Sequence, residues 1–222
     1  MKFEILTLFP EVVEKYAETS ILSRGQKNES IKIDVHNFRD YTSDKHNKVD
    51  DSPYGGGAGM LISPQPIYSC LENLGLVKGG KKVKIKNTKI IIMDPAGKKF
   101  DQKMANRFSK LDRLVLISGR YEGFDARVYK FIDERVSVGD YVLAGGELSA
   151  LIITEATARL VPGVLGNPES LTEESHNLGV KKIKKEYPQY TRPEIFMGLK
   201  VPKILLSGDH KKIEEWRDKK VK

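Results

Sequence analysis

The chain has 222 residues, with 38 Lys and Arg against 30 Asp and Glu, which gives a formal net charge of +8. Hydrophobic residues make up 39% of the chain, enough for a buried core, so the composition excludes a wholly disordered protein. The single cysteine, Cys70, excludes an internal disulfide framework and a Cys-rich zinc ribbon, and it favours a reducing compartment. The surplus of positive charge favours a polyanionic partner such as nucleic acid.

No membrane or export signal is evident in the sequence. The opening stretch MKFEILTLFPEVVEKY does not have the pattern of a secretory signal. The longest apolar stretches, such as 148–153, are interrupted by charges well before the roughly 20 residues that a membrane span needs. We therefore expect a soluble, cytoplasmic protein with no membrane partner.

Short β-branched runs alternate with helical patterns along the first 160 residues. One helix is predicted with Pro10 in its first turn, and further helices over 101–111, 125–131 and 146–161. Strands are predicted over 3–9, 31–35, 89–93, 113–118 and 135–138. This alternation predicts an α/β fold with a mostly parallel sheet and flanking helices.

The composition changes after Pro162, which ends the last of these helices. Residues 163–179 contain Pro, Asn, Ser and three Glu with little periodicity, as is typical of a linker. A Lys-rich turn and an amphipathic helix around Ile213 and Trp216 follow. We predict an α/β domain over 1–162, an interdomain linker over 163–179 and a short helical domain over 180–222.

Four glycine-bearing loops each follow a predicted strand. They are DDSPYGGGAGM (50–60), MDPAG (93–97), GRYEGFD (119–125) and GDYVLAGGEL (139–148). Ligands of open α/β sheets bind beyond the carboxyl ends of the strands, and glycine lets the backbone approach them closely. Any one loop could be only a tight turn, but four together favour a ligand site. The four histidines share no metal-ligand spacing, so no metal-built site is predicted.

Five motifs carry a specific resemblance. PYGGGAGM, GRYEG, GDYVLAGGEL, LVPGVLGN and YTRPE, in this order, resemble the bacterial tRNA (guanine-N1)-methyltransferases from Phe3 through Trp216. The resemblance implies methyl transfer from S-adenosylmethionine to the guanosine at tRNA position 37. It also implies a homodimer with the active site at its interface, and a deep trefoil knot that holds the cofactor. Magnesium is expected to assist, although no ligand cluster indicates its site.

The resemblance assigns the cofactor contacts to three of the loops. Val138 and Leu143 would form apolar walls for adenine, although both could equally be ordinary core residues. The full set is Asp94, Pro95, Ala96 and Gly97; Gly119, Tyr121, Glu122 and Gly123; and Val138, Gly139, Asp140, Tyr141, Val142, Leu143, Gly145 and Gly146.

The reaction needs a base, because guanine N1 carries a proton at neutral pH. By resemblance the base is Glu174, which stands where the family usually has Asp, and Arg159 stabilises the charge that builds on the neighbouring carbonyl oxygen. Glu174 could instead be a solvated linker carboxylate, and Glu173 is a rival for its role. Arg159 could be a cation that favours a helix C-terminus.

The remaining candidates would contact tRNA. Arg120 could grip a phosphate or a carbonyl, and Asp50 could equally be a turn cap. The substrate set is Asp50, Tyr54, Gly59, Arg120, Ser170 and Ser175. Lysine clusters at 78–89 and 181–185 could contact phosphates, or they could be a solvated face or hairpin.

Two other functions stay open from the sequence. A related enzyme of this kind could methylate another RNA position. A catalytically impaired homologue, which the Glu for Asp exchange at 174 makes conceivable, could bind RNA without turnover.

Overall fold

The computed structural model describes residues 1–166 and 187–220 and contains two compact units, Met1–Gly166 and Asn167–Lys222. The α-helices of the first unit are α1 (Pro10–Ala17), α2 (Ser20–Lys27), α3 (Pro64–Asn73), α4 (Gln102–Phe108) and α5 (Glu147–Ala158). Its strands are β1 (Lys2–Thr7), β2 (Lys32–Asn37), β3 (Asp50–Asp51), β4 (Leu61–Ile62), β5 (Val77–Lys78), β6 (Lys81–Lys82), β7 (Thr88–Lys99), β8 (Arg113–Ile117) and β9 (Glu134–Ser137).

Five strands form the central sheet in the order β2-β1-β8-β7-β9, and every neighbouring pair is parallel. The predicted α/β fold with a parallel sheet and flanking helices is therefore confirmed. The first strand is shorter than the predicted 3–9, because Phe9 is already the N-cap of α1 and Pro10 occupies its first turn. The pattern over 125–131 forms a 3₁₀ helix at Ala126–Phe131 rather than an α-helix.

Two hydrophobic cores cover the two faces of the sheet. One contains side chains of α1, α2, α4 and α5, such as Val13, Leu22, Phe108 and Ile153. The other lies under α3 and contains Ile67, with Cys70 and Leu71. Because strands β1, β7 and β8 are covered on both faces, they consist of nearly continuous apolar runs.

The carboxyl edge of the sheet is where the predicted ligand loops lie. The loop 94–97 interrupts β7, whose pairing with β9 shifts register between Met93 and Lys98. The loop after β8 is joined to the small antiparallel pair β3–β4, since the Ile62 N–H donates to Gly123 O at 2.9 Å. The loop after β9 leads directly into α5. Strand ends, loops and a helix start therefore meet at one edge.

The second unit is described from residue 187. It contains a hairpin of β10 (Ile195–Phe196) and β11 (Leu199–Lys200), a 3₁₀ turn at Lys203–Leu206, and α6 (His210–Lys220). The rings of Tyr190 and Trp216 lie 6.4 Å apart. The helix predicted around Ile213 and Trp216 is α6, while the start of this predicted domain lies outside the described residues. In the described parts of the chain, no helix has the length and hydropathy of a membrane span.

Candidate active site

A cavity of about 270 Å³ lies at the carboxyl edge of the sheet. That volume is near the lower end of the range for ligand pockets, about 300–1,000 Å³. Its walls come from the ends of β7, β8 and β9 and the start of α5. Of the predicted cofactor residues, those that line it are Asp94, Pro95, Gly119, Tyr121, Glu122, Gly123, Val138, Tyr141, Val142, Leu143, Gly145 and Gly146. The three loops, which are separate in the sequence, therefore form one pocket.

Glycine is required where these loops touch. A Cβ on Gly146 would lie 2.8 Å from Ser118 Cα and 2.9 Å from Gly119 N. The Gly146 N–H donates to Gly119 O at 2.8 Å, so the loop before α5 is held directly against the loop after β8. A Cβ on Gly97 would lie 2.5 Å from the backbone of β9. The glycines thus let the pocket walls close without side chains between them.

Asp94 is held by a network in the pocket wall. Arg135 Nε donates to Asp94 Oδ2 at 2.7 Å, the Tyr129 hydroxyl donates at 3.1 Å, and the Ala96 N–H donates to Oδ1 at 2.8 Å. Burial acts to raise the pKa of Asp94, but these hydrogen bonds outweigh it and lower the pKa below its ordinary value. The pocket therefore keeps a fixed carboxylate at neutral pH.

Arg120 enters the pocket from the loop after β8. Its guanidinium lies 4.2 Å from the centre of the Phe9 ring, and its Nε lies 3.0 Å from Glu147 Oε2. Glu147, at the first turn of α5, is only 2% exposed and accepts a hydrogen bond from the Thr7 hydroxyl at 2.8 Å. One of the predicted substrate residues thus lies beside the predicted cofactor loops.

Several predicted residues lie outside the pocket lining. Ala96 and Gly97 shape the bulge of β7 behind the wall, and Gly139 packs against the Tyr141 ring. Asp140 is exposed and forms an ion pair with Lys99. For these four positions the structure shows supporting contacts, and their cofactor roles stay predictions.

The 50–60 loop meets the pocket wall near its end, where Met60 O accepts a hydrogen bond from the Glu122 N–H at 3.1 Å. Gly59 has a φ of +77°, and a Cβ there would lie 2.4 Å from Glu122 Cγ. Asp50 instead lines a separate cavity beside Asp44 and Gln65, and Tyr54 is wholly exposed. Of the predicted substrate residues in this loop, only Gly59 touches a residue of the pocket wall.

Arg159 lies at the opposite end of α5 from the pocket. It is the C-cap of this 12-residue helix, which is roughly 18 Å long at about 1.5 Å per residue. It lines a separate cavity with Tyr16, Glu155 and Leu165. Within one chain, Arg159 is therefore not brought to the pocket that holds the predicted cofactor residues.

Three predicted residues, Glu174, Ser170 and Ser175, lie outside the described residues, as does the rival Glu173. Their roles stay predictions.

No metal site can be assigned from the described residues. Within 1–166 and 187–220 no group of three or more His, Cys, Asp or Glu side chains is placed to hold a metal ion. Of the carboxylates that line the pocket, Asp94 is already paired with Arg135. A second carboxylate, Glu122, also lines the pocket, but no cluster of donors surrounds it among the residues that the structure describes, so we assign no magnesium site and derive no step through one.

Four further residues around the pocket were not predicted from the sequence: Thr7, Tyr129, Arg135 and Glu147. Tyr129 and Arg135 act through Asp94, while Thr7 and Glu147 act beside Arg120. The signal available in the sequence was the position of Glu147, which follows the double glycine that opens α5, whereas Thr7 lies inside the predicted strand 3–9. Nothing in the local pattern indicated that the two would meet across 140 residues.

The fold and this edge together define an α/β protein with a glycine-walled ligand pocket beyond the carboxyl ends of a parallel sheet. Comparison with known proteins narrows this class. Residues 1–222 match the family model described as tRNA (Guanine-1)-methyltransferase TrmD.

Curated relatives carry the same description. A protein of Latilactobacillus sakei subsp. sakei is 46% identical over 99% of this chain and 85% of its own length. One of Pediococcus pentosaceus is 48% identical over 98% of this chain and 85% of its own, and one of Desulfitobacterium hafniense is 48% identical over 99% and 79%. All three are named tRNA (guanine-N(1)-)-methyltransferase. The chain belongs to the tRNA (guanine-1)-methyltransferase TrmD family.

Proposed function

We propose that this protein transfers a methyl group from S-adenosylmethionine to N1 of the guanosine at position 37 of tRNA. The observation that carries the proposal is the single pocket formed by the three glycine loops, in a chain whose family and relatives are tRNA guanine-N1-methyltransferases. The position of the guanosine and the identity of the methyl donor rest on the resemblance of the motifs.

The residues that line the pocket suit S-adenosylmethionine. Glycines at 119, 145 and 146 let the loops pack closely enough to form the pocket, and Val138 and Leu143 supply apolar walls for an adenine. The Asp94 carboxylate, paired with Arg135, holds the loop 94–97 in the wall of the pocket. When bound, S-adenosylmethionine supplies an electrophilic methyl group on a sulfonium.

The protein supplies the base and the alignment. The Glu174 carboxylate takes the proton from guanine N1, and the N1 lone pair then forms the new bond to the methyl carbon. The carbon–sulfur bond breaks with its electron pair left on sulfur, so charge is balanced. Arg159 stabilises the negative charge that develops on guanine O6 as N1 loses its proton.

Arg159 can act on the pocket only if it comes from a second copy. It lies roughly 18 Å along α5 from the end that lines the pocket, a distance longer than an arginine side chain. We therefore propose a homodimer in which the Arg159 of one protomer completes the pocket of its partner. The missing residue in each protomer's own pocket is the reason for preferring a dimer to a monomer.

An exposed apolar strip supports the same dimer. It joins α1 to α5 between the pocket and Arg159, and it contains Phe9, Val12, Tyr16, Leu148 and Ile152, which are 37–55% exposed. A two-fold symmetric contact across this strip would cover these side chains. It would also bring the Arg159 end of each α5 toward the pocket of the partner. We therefore propose that a second copy of the chain packs on this strip.

The knot and the RNA-binding tail belong to this proposal as well. The hydrogen bond from the Gly146 N–H to Gly119 O holds the loop before α5 against the loop after β8, at the edge where the resemblance implies the knot. In the second unit, α6 carries Lys211, Lys212, Arg217, Lys219 and Lys220, a basic helix suited to phosphates.

Methyl transfer to two transcripts tests the proposed function. The protein is incubated with radiolabelled S-adenosylmethionine and a tRNA transcript with guanosine at positions 36 and 37, and with a second transcript in which only position 37 is adenosine. We expect label in the first alone. Label in both would move the target to another position, and label in neither, with cofactor binding shown by calorimetry, would indicate an impaired RNA-binding homologue.

A further inference from the structure

Glu147 is a buried acid that the proposed reaction does not yet use. It is 2% exposed at the first turn of α5, where the end of β1, the loop after β8 and the double glycine before α5 come together. An acidic side chain at this turn is favoured by the helix dipole. That effect operates equally at an exposed position, so it does not explain why the side chain is turned inward against Arg120.

Two contacts fix the position of the Glu147 carboxyl group, one at each oxygen. The Thr7 hydroxyl donates to Oε1 at 2.8 Å and accepts from the Phe9 N–H at 2.9 Å. Oε2 lies 3.0 Å from Arg120 Nε. The carboxyl group thus connects the end of the first strand to the arginine of the pocket wall.

Gly145 keeps the space that this ion pair occupies. A Cβ at Gly145 would lie 2.3 Å from Arg120 Nε and 2.5 Å from Glu147 Oε2. Neither distance is tolerated by real side chains, so any other residue at 145 would push the two groups apart. The double glycine therefore serves the ion pair as well as the wall of the pocket.

The Arg120 guanidinium has contacts in the pocket wall, but its Nε makes no hydrogen bond among the described residues. It stacks on the Phe9 ring on one side, and its Nε is buried without a hydrogen-bond partner among the described residues, although Glu147 is within ion-pair distance. Contacts at such sites often align only when the substrate is bound. An arginine placed in this way is ready to turn toward an oxygen that enters the pocket.

We propose that Glu147 is a positioning residue that aims the Arg120 guanidinium at an oxygen of the target guanosine nucleotide. Glu147 does not touch the substrate and acts through Arg120, with Thr7 holding its other oxygen. The inference rests on the proposed function only in taking an RNA guanosine as the substrate, and it holds for whichever guanosine is methylated.

The test measures kcat/KM for tRNA per cofactor-binding site, for Glu147→Gln, Arg120→Lys and the double variant. Gln keeps the volume and can still accept from Thr7, but it has no charge for Arg120. We expect each single change to lower kcat/KM by about 10- to 100-fold, because misplacement by about an ångström costs up to about 100-fold. The double variant should lose little more, since both changes break one contact. The affinity for S-adenosylmethionine should stay within about twofold.

Glu4→Gln is the matched control. Glu4 is also fully buried and also pairs with an arginine, since Arg113 Nε donates to Glu4 Oε2 at 2.6 Å. Arg113 stands at the amino end of β8, away from the pocket. We expect Glu4→Gln to lower the melting temperature while kcat/KM stays within about twofold of the wild type.

Three outcomes would overturn the proposal: full activity of Glu147→Gln, multiplicative losses in the double variant, or an equal activity loss in Glu4→Gln. If Glu147→Gln does not fold, Thr7→Val against Thr7→Ser gives the same comparison, because only Val removes the hydroxyl. Equal kcat/KM for these two would also overturn it. Failure of the proposed function differs from all of these, since the wild type itself would then transfer no methyl group.

Discussion

At the scale of single residues, the length of the Glu174 side chain matters most for the proposed reaction. Glu174 stands where the resemblance implies an aspartate, and its extra methylene changes where the carboxylate can lie relative to guanine N1. A displacement of the carboxylate by about an ångström can lower the rate about 100-fold. The replacement of Asp by Glu is compatible with catalysis if the backbone around Glu174 lies correspondingly further from the guanine.

The substitution Glu174→Gln tests the proposed base. We expect single-turnover methyl transfer to fall by at least about 100-fold, since a general base contributes about 10²–10⁴ to the rate. Binding of S-adenosylmethionine, measured by calorimetry, should not change. Glu173→Gln is the matched control on the neighbouring carboxylate, and it should keep most of the activity. A large loss in Glu173→Gln with none in Glu174→Gln would transfer the role to Glu173.

Sequence reasoning at this scale succeeded where a residue type is forced by local geometry. Gly146 was expected in the pocket because glycine permits close approach, and it lies 2.8 Å from Gly119 through its backbone hydrogen bond. The Thr7–Glu147 contact was not predicted, because it depends on which strand ends lie side by side. That information is in the strand order, which no local pattern contains.

At the scale of elements, the bulge in β7 shows how a strand can also form a binding loop. The sequence predicts a strand over 89–93 followed by a loop, whereas β7 continues to Lys99 and resumes pairing with β9 after the bulge. The bulge moves Asp94 out of the ladder and into reach of Arg135 on the neighbouring strand. The loop was predictable from its Pro and Gly, but the return to the sheet was not, because Lys98 and Lys99 lack a strand pattern.

The first lysine cluster, 78–89, covers the β5–β6 hairpin and the segment that follows it. Lys82 pairs with Asp133, whereas Lys84 and Lys86 have no carboxylate partner among the described residues. We expect Lys84→Gln with Lys86→Gln to reduce the slope of log KM for tRNA against log salt by about 1.4 to 1.8, if each lysine meets one phosphate. The measurement is KM across a salt series.

Lys27 and Lys103 provide the control for the hairpin. Both are exposed lysines in α2 and α4, which pack on the other face of the sheet. Changing both to Gln removes the same charge and should leave the salt slope nearly unchanged. An equal reduction in the two double variants would mean that the hairpin is a solvated face and that only net charge steers the RNA.

At the scale of the whole molecule, a single chain does not bring its predicted site together. Arg159 and the pocket lie at opposite ends of α5, so the account requires two copies. The sequence indicated a shared site only through resemblance. The exposed apolar strip along α1 and α5 is the physical reason to expect that two copies associate. No pattern in the sequence revealed this strip, because it combines two helices that are distant in the chain.

Heterodimers of inactive variants test this sharing. Arg159→Ala removes the arginine, and Leu143→Arg fills the pocket. When the two variants are co-expressed with different tags and purified as a heterodimer, one of its two sites has both parts intact, so we expect about half of the wild-type activity. In the control, wild type is paired with a chain that carries both changes, and the account predicts almost no activity. Half activity in the control, with none in the test pair, would place both parts of the site in one chain.

The measurement that tests the central claim most directly is nucleoside mass spectrometry of tRNA after incubation with the protein and S-adenosylmethionine. The substrate is a transcript with guanosine at positions 36 and 37, and the control differs only in lacking the guanosine at 37. The account predicts 1-methylguanosine in the first transcript and none in the control. Equal amounts of 1-methylguanosine in both transcripts, or a methyl group on another guanine atom, would contradict it.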